Sequence, residues 1–230
     1  MTTSSNQRVL VWDAPTRVFH WLMVLSFAGA YLTAEEDHWR LVHVTLGYTM
    51  AGLVAFRIVW GFIGTRHARF TDFVRGPGAA LRYLRSVVRG QPEHHTGHNP
   101  AGALAVVALL VLTVLTVITG WATYRELGGD ALEELHEGIA NVMLALVGLH
   151  VVAVVVSSRL HRENLVGAMI NGYKDGQPAD AVPGSRRDVA AALLLAVAAF
   201  WCFQLWTAPG ADLPGAHTVS MSHTDSARRP

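Results

Sequence analysis

The sequence predicts an all-α protein built into a membrane as a helical bundle, with a four-helix core and a fifth crossing helix after it. Three observations carry that expectation. Only 15% of the 230 residues are charged, against about 25% in ordinary soluble domains. Some 51% are hydrophobic, and the mean hydropathy is +0.31. The apolar residues gather into five runs near the length of about 20 residues that a helix needs to cross a bilayer. Lipid leaves the backbone no hydrogen-bond partners outside the helix itself, so such runs read as helices. The formal net charge of +1 argues neither for nor against nucleic acid, and no nucleic-acid partner is expected. The single Cys202 excludes an intrachain disulfide, a cysteine-held cluster and a CxxCH haem attachment.

Taken in order, residues 1–11 are short and polar. Asp13 then reads as a helix cap with Pro15 in the first turn. The first run extends from Val18 to about Thr33, with the helix free to begin earlier. A signal peptide is the competing reading. It is disfavoured because no Lys- or Arg-rich stretch precedes the run and no small-residue cleavage site follows it. The second span covers about Leu41 to Ile63. A basic loop over 64–99 follows, and within it Gly78–Arg89 alternates leucine and valine with arginine, as an amphipathic helix on a membrane surface does. Asn99 and Pro100 mark the start of a third span, about Ala101 to Thr123. A short acidic loop with Asp130, Glu133 and Glu134 leads to the fourth span, which ends near Ser158. Residues 159–188 are basic again, and a fifth run covers Val189 to Thr207. This divides the chain into a core domain over 1–178, a linker with the fifth helix over 179–209, and a disordered tail over 210–230.

Charge sets the expected topology. The 2–3 and 4–5 loops hold eleven basic residues: Arg66, Arg69, Arg75, Arg82, Arg85, Arg89, Arg159, Arg162, Lys174, Arg186 and Arg187. The positive-inside rule places them, the surface helix and the N-terminus in the cytoplasm, and an odd number of spans puts the C-terminal tail outside. Trp12, Trp39, Trp60, Trp121 and Trp206 fall near span ends, as interfacial anchors do.

Twelve histidines are present, but only His20, His43, His136 and His150 lie within spans. His136 and His150 are fourteen residues apart on one helix, roughly 21 Å along the axis and on nearly the same face. With the topology above, His20 and His150 share the inner level, and His43 and His136 the outer one. A lone intramembrane histidine is often an interhelical hydrogen-bonder. Two depth-matched pairs point instead to axial ligation of two haem irons, since ionisable groups in spans are costly and mark function. Two axial imidazoles fill the iron's coordination, which leaves one-electron transfer as the chemistry. Arg57, fourteen residues after His43, should lie at the inner level and needs an anion there. A haem propionate would serve, and Arg125 could act likewise outside. Gly47, Gly138 and Gly148 lie near the histidines and would let a flat macrocycle approach the backbone. His94, His95 and His98 look like a metal tract but read as a polar loop.

Several motifs recur in order around these residues: Arg17-Val18-Phe19-His20-Trp21, His43 with Gly47-Tyr48 and Arg57, Gly97-His98-Asn99-Pro100-Ala101-Gly102, His136-Glu137, His150, and His161-Arg162-Glu163-Asn164-Leu165. The ordered set resembles the bacterial cytochrome b561 and nickel-hydrogenase b-type cytochrome family over roughly residues 8–175. The resemblance implies a four-helix unit holding two b-type haems. It further implies electron flow between a quinone pool and a redox partner, which could be a hydrogenase, another dehydrogenase or a c-type cytochrome. The fifth span suits the hydrogenase-associated branch by analogy. The expected protein is therefore a respiratory electron-transfer subunit of the inner membrane, in preference to a free-standing enzyme. The runner-up is a stand-alone haem oxidoreductase acting on a small molecule such as superoxide or ferric iron, followed by a transporter or channel whose histidines relay protons or hold a metal.

Overall fold

In a computed structural model of the chain, residues 7–91, 93 and 95–208 are described. The expected tail over 210–230 and His94 lie outside them. Five long helices dominate: α1 (Ala14–Leu32), α2 (Arg40–Ile63), α5 (Pro100–Tyr124), α6 (Gly129–Leu160) and α8 (Arg187–Thr207). Three shorter helices, α3 (Phe70–Phe73), α4 (Pro77–Val88) and α7 (Leu165–Asn171), lie in the two basic connections.

The helix starts follow from local chemistry. Asp13 caps α1, its Oδ1 accepting from the Thr16 N–H at 2.8 Å, with Pro15 in the first turn. Asn99 caps α5 through the Gly102 N–H at 2.7 Å, with Pro100 behind it. Among the described residues, four helices are long and apolar enough to cross a membrane: α2 with its preceding turn, α5, α6 and α8. The nineteen-residue α1 falls outside that set. Arg17 and His20 lower its apolarity, yet it packs along α2 and α8.

Neighbouring helices pack in the order α8, α1, α2, α5, α6, with α4 laid against α5. Phe27, Met50 and Met143 form the buried centre, ringed by Met23, Tyr31, Leu109, Leu112, Val117 and Val147. Thioethers and methyl groups fill the space where the four core helices face one another. Large apolar side chains such as Leu32, Ile63 and Leu195 point outwards, as lipid-facing residues must.

Three expectations are corrected. Asp130, Glu133 and Glu134 belong to α6, not to a loop. The helix simply starts earlier, where acidic side chains suit the positive end of its dipole. Trp12 and Trp60 are buried, not interfacial anchors, whereas Trp39, Trp121 and Trp206 are exposed at helix ends. Trp60 Nε1 donates to Asp13 Oδ2 at 3.0 Å.

The third correction concerns the polar N-terminus. Gln7–Leu10 forms a strand, β1, paired antiparallel with β2 (Tyr173–Gly176), so that Gln7 faces Gly176 and Leu10 faces Tyr173. The backbone continues the pairing: the Val11 and Trp12 N–H groups both donate to Gly172 O, and the Val182 N–H to Leu10 O. Val9, Val11, Trp12 and Ala168 pack beneath this ribbon. Gly172 ends α7 at φ +91°, and a Cβ there would lie 2.6 Å from Trp12 O. Only glycine fits both demands.

Candidate functional site

The bundle brings the four span histidines together in two levels. At the level away from the basic connections, the rings of His43 on α2 and His136 on α6 lie 6.3 Å apart, centre to centre, at 83°. His43 Nδ1 lies 2.8 Å from Ala30 O, and a carbonyl only accepts, so Nδ1 carries the proton. His136 Nδ1 lies 3.1 Å from Thr119 Oγ1. That hydroxyl already directs its proton to the carbonyl of Leu115 at 2.8 Å, so it accepts from His136 Nδ1–H. Both Nε2 lone pairs are therefore free for a ligand, the arrangement that orients metal-binding histidines. Gly120 makes room for the ring, since a Cβ there would stand 2.7 Å from His136 Cε1.

At the level near the basic connections, His20 on α1 and His150 on α6 are electrostatic neighbours. His20 Nδ1 is buried without a hydrogen-bond partner, and the ring stands edge-on to Trp21. The residues around His20 explain its placement. Arg17 Nη1 donates to Ile170 O and Trp21 Nε1 to Met169 O. These bonds satisfy carbonyls at the end of α7 and fix the turn of α1 that carries His20.

Arg57 is 2% exposed. Its guanidinium lies 4.9 Å from the Phe70 ring centre and 5.9 Å from that of Phe73. Nη1 is enclosed without a hydrogen-bond acceptor. Asp13 is nearby, but its oxygens are taken by Thr16, Trp60 and Thr65. A buried cation in this state calls for an added anion. Arg125, by contrast, is exposed at the end of α5.

His98 lies in the connection before α5, as expected of a loop residue, but its ring is packed and not solvated. Its ring sits 4.6 Å from those of both Trp12 and Phe73, with Nδ1 enclosed and without a partner. Burial pushes its pKa down to about 3, and the nearby Arg57 charge acts in the same direction. The Asn99 cap holds it there by fixing the chain direction just before α5. His161-Arg162-Glu163-Asn164-Leu165 likewise serves the fold. Asn164 caps α7 through the Gly167 N–H at 2.7 Å, and Glu163 pairs with the buried Lys174 at 3.1 Å.

The family-model comparison matches residues 11–172 to prokaryotic cytochrome b561. The chain belongs to this family. It is a multi-pass membrane b-type cytochrome of prokaryotic type, and its chemistry is electron transfer. Among similar curated proteins are those named probable Ni/Fe-hydrogenase B-type cytochrome subunits. The one from Rhodobacter capsulatus is 26% identical over 72% of this chain and 81% of its own length. The one from Azotobacter vinelandii is 28% identical over 74% and 91%. The corresponding hydrogenase 1 subunit of Escherichia coli K12 is 23% identical over 71% and 89%. No solved structure matches the chain.

The residues fit the haem that a b-type cytochrome carries. The His43 and His136 rings, 6.3 Å apart and with each Nδ1 proton held by the fold, would hold its iron between their Nε2 atoms. A Cβ at Gly47, one turn from His43 on the same face of α2, would meet nothing within 4 Å, so the backbone there stands open to a large flat group. Gly138 and Gly148 are equally open, but each lies two residues from its histidine and faces the other way. Among the described residues there is no group of three or more His, Cys, Asp or Glu that could hold a metal ion. Thr119 and Gly120 were not singled out from the sequence. A glycine beside a threonine in an otherwise apolar span, at the depth of His136, was the available signal.

Proposed function

We propose that the protein holds two b haems, each between two histidines: His43 with His136 on the outer side, His20 with His150 on the cytoplasmic side. It carries electrons across the bacterial inner membrane between a quinone pool and a redox partner protein. The 6.3 Å separation of the His43 and His136 rings, with both Nδ1 protons held and both Nε2 atoms free, is the observation that carries this reading. Bound haem iron supplies reversible one-electron chemistry with its coordination filled. The chain's own residues do the rest. Ala30 O and the Thr119 hydroxyl hold the ligand tautomers, and Gly120 sets the His136 ring in place. Arg57 offers its free Nη1 to a carboxylate such as a propionate of the inner haem. The continuous α6 sets the two levels about 21 Å apart along the helix.

The similar proteins are named as hydrogenase cytochrome subunits, and a hydrogenase is the partner we favour over another dehydrogenase or a c-type cytochrome. The N-terminus and basic connections face the cytoplasm and the C-terminus the periplasm, a reading supported by the excess of arginine in those connections.

A vesicle assay tests the function. The purified protein is reconstituted into liposomes that enclose ferricyanide, and a quinol is added outside. Reduction of the enclosed ferricyanide that depends on haem-loaded protein is expected. Rates equal to protein-free vesicles would overturn the proposal.

A further inference from the structure

The C-terminal end of α2 and the start of α8 enclose a cleft of about 550 Å³ at the basic end of the bundle. Its size is that of a small-molecule site. Three cations line it, Arg66, Arg69 and Arg186, and no acidic side chain does. Its other walls are apolar, chiefly Trp60, Ile63, Pro183 and Val189.

The cations differ in how far the protein itself satisfies them. Arg69 pairs with Asp72 at 2.7 Å, and Arg66 reaches Ala179 O at 2.8 Å and Asp180 at 3.7 Å. The Arg186 side chain has no hydrogen bond or ion pair among the described residues, and the residue holds a left-handed backbone conformation at φ 50°. That conformation is uncommon for a residue with a Cβ. It turns the chain from the Pro183-Gly184-Ser185 segment into α8, and the Ala14 N–H fixes the turn by donating to Ser185 O. Below the arginines the wall turns greasy. Ile63 is 71% exposed and lies in the last turn of α2, so the cleft opens onto the lipid-facing surface.

A cationic mouth over an apolar floor, at the membrane boundary, selects an amphiphile with an anionic head. We propose that this cleft is a binding site for one anionic phospholipid, with its phosphate held by Arg66, Arg69 and Arg186 and its acyl chains lying over Ile63 and Val189. Guanidinium groups match phosphate oxygens in pairs, and basic pockets between membrane helices take such head groups. A zwitterionic lipid offers the same phosphate, but its own cation offsets the attraction. A free phosphate leaves the apolar wall unused. The site lies on the α2–α8 side, and its test is independent of haem ligation.

The test uses full-length protein in neutral detergent, with bound lipid counted by native mass spectrometry. Phosphatidylglycerol, phosphatidylcholine and inorganic phosphate are the probes. One phosphatidylglycerol per chain is expected to bind in preference to phosphatidylcholine, without displacement by millimolar phosphate. Arg186→Gln is expected to weaken binding about fivefold, and Arg69→Gln with Arg186→Gln about 25-fold, at roughly one charge contact each. Arg82→Gln with Arg85→Gln, on the exposed face of α4, is expected to leave binding unchanged. Arg186 is exposed and its side chain pairs with nothing among the described residues, so its single variant keeps the test valid if the double variant unfolds. Equal binding of the two lipids, or no effect of Arg186→Gln, would overturn the proposal. So would an equal loss in the α4 control. Displacement by inorganic phosphate would make this a free-anion site and overturn the lipid assignment.

Discussion

The His136 ring is fixed from two sides by consecutive residues of α5: Thr119 accepts its Nδ1–H at 3.1 Å, and Gly120 leaves the space its Cε1 fills. One helical turn of a neighbouring helix thus sets both the tautomer and the position of a predicted haem ligand on α6.

Replacing Thr119 with valine keeps the shape and removes the acceptor. Loss of such supporting hydrogen bonds costs about 10- to 100-fold in metal affinity. Thr119→Val is expected to lower the occupancy of one haem at limiting haem, leaving the other unchanged. Haem titration followed by absorbance checks it.

Gly120→Val places a branched side chain where even a Cβ would stand 2.7 Å from His136. The ring must move, because packed interiors yield little to added methyl groups. The expected outcome is loss of the outer haem with retention of the inner one, read as haem per chain falling from two to one.

Arg57→Gln removes a buried positive charge. A cation favours the reduced, less positive iron, so its loss lowers the midpoint potential of the inner haem. At an effective dielectric of about 20, a unit charge roughly 10 Å away is worth 1–2 kcal/mol, equivalent to several tens of millivolts. Redox titration is expected to show one of the two midpoints shifted downwards and the other unmoved.

His98 makes stability depend on pH. Its folded pKa is depressed to about 3, below the ordinary value of 6.5. The unfolded chain therefore binds the extra proton first, and stability is lost as pH falls from about 6.5 towards 3. At pH 5 the loss approaches about 2 kcal/mol. Thermal unfolding of the wild type is expected to drop between pH 7.5 and pH 5 by more than that of His98→Phe, which has no proton to gain.

Much of this architecture was legible in the sequence, for identifiable reasons. The fourteen-residue spacings of His136 to His150 and of His43 to Arg57 carry depth and direction, because α2 and α6 run unbroken. The Asp13 and Asn99 caps announce their helices through side-chain chemistry alone. The ribbon of β1 and β2 could not be seen. Each strand has four residues and no alternation long enough to read, and some 160 residues separate the partners. His98 reads as polar because its neighbours His95 and Gly97 do. Its burial depends on Trp12 and Phe73, which arrive from distant segments. Trp60 reads as an interfacial anchor because its bond to Asp13 spans 47 positions.

The most direct measurement is a reduced-minus-oxidised optical spectrum with haem counted per chain, for the wild type and for His20→Ala, His43→Ala, His136→Ala and His150→Ala. Two b haems are expected in the wild type, one lost or altered by His43→Ala and His136→Ala alike, the other by His20→Ala and His150→Ala. A wild type with a single haem, or variants that affect the haems in any other pairing, would contradict the two-level arrangement.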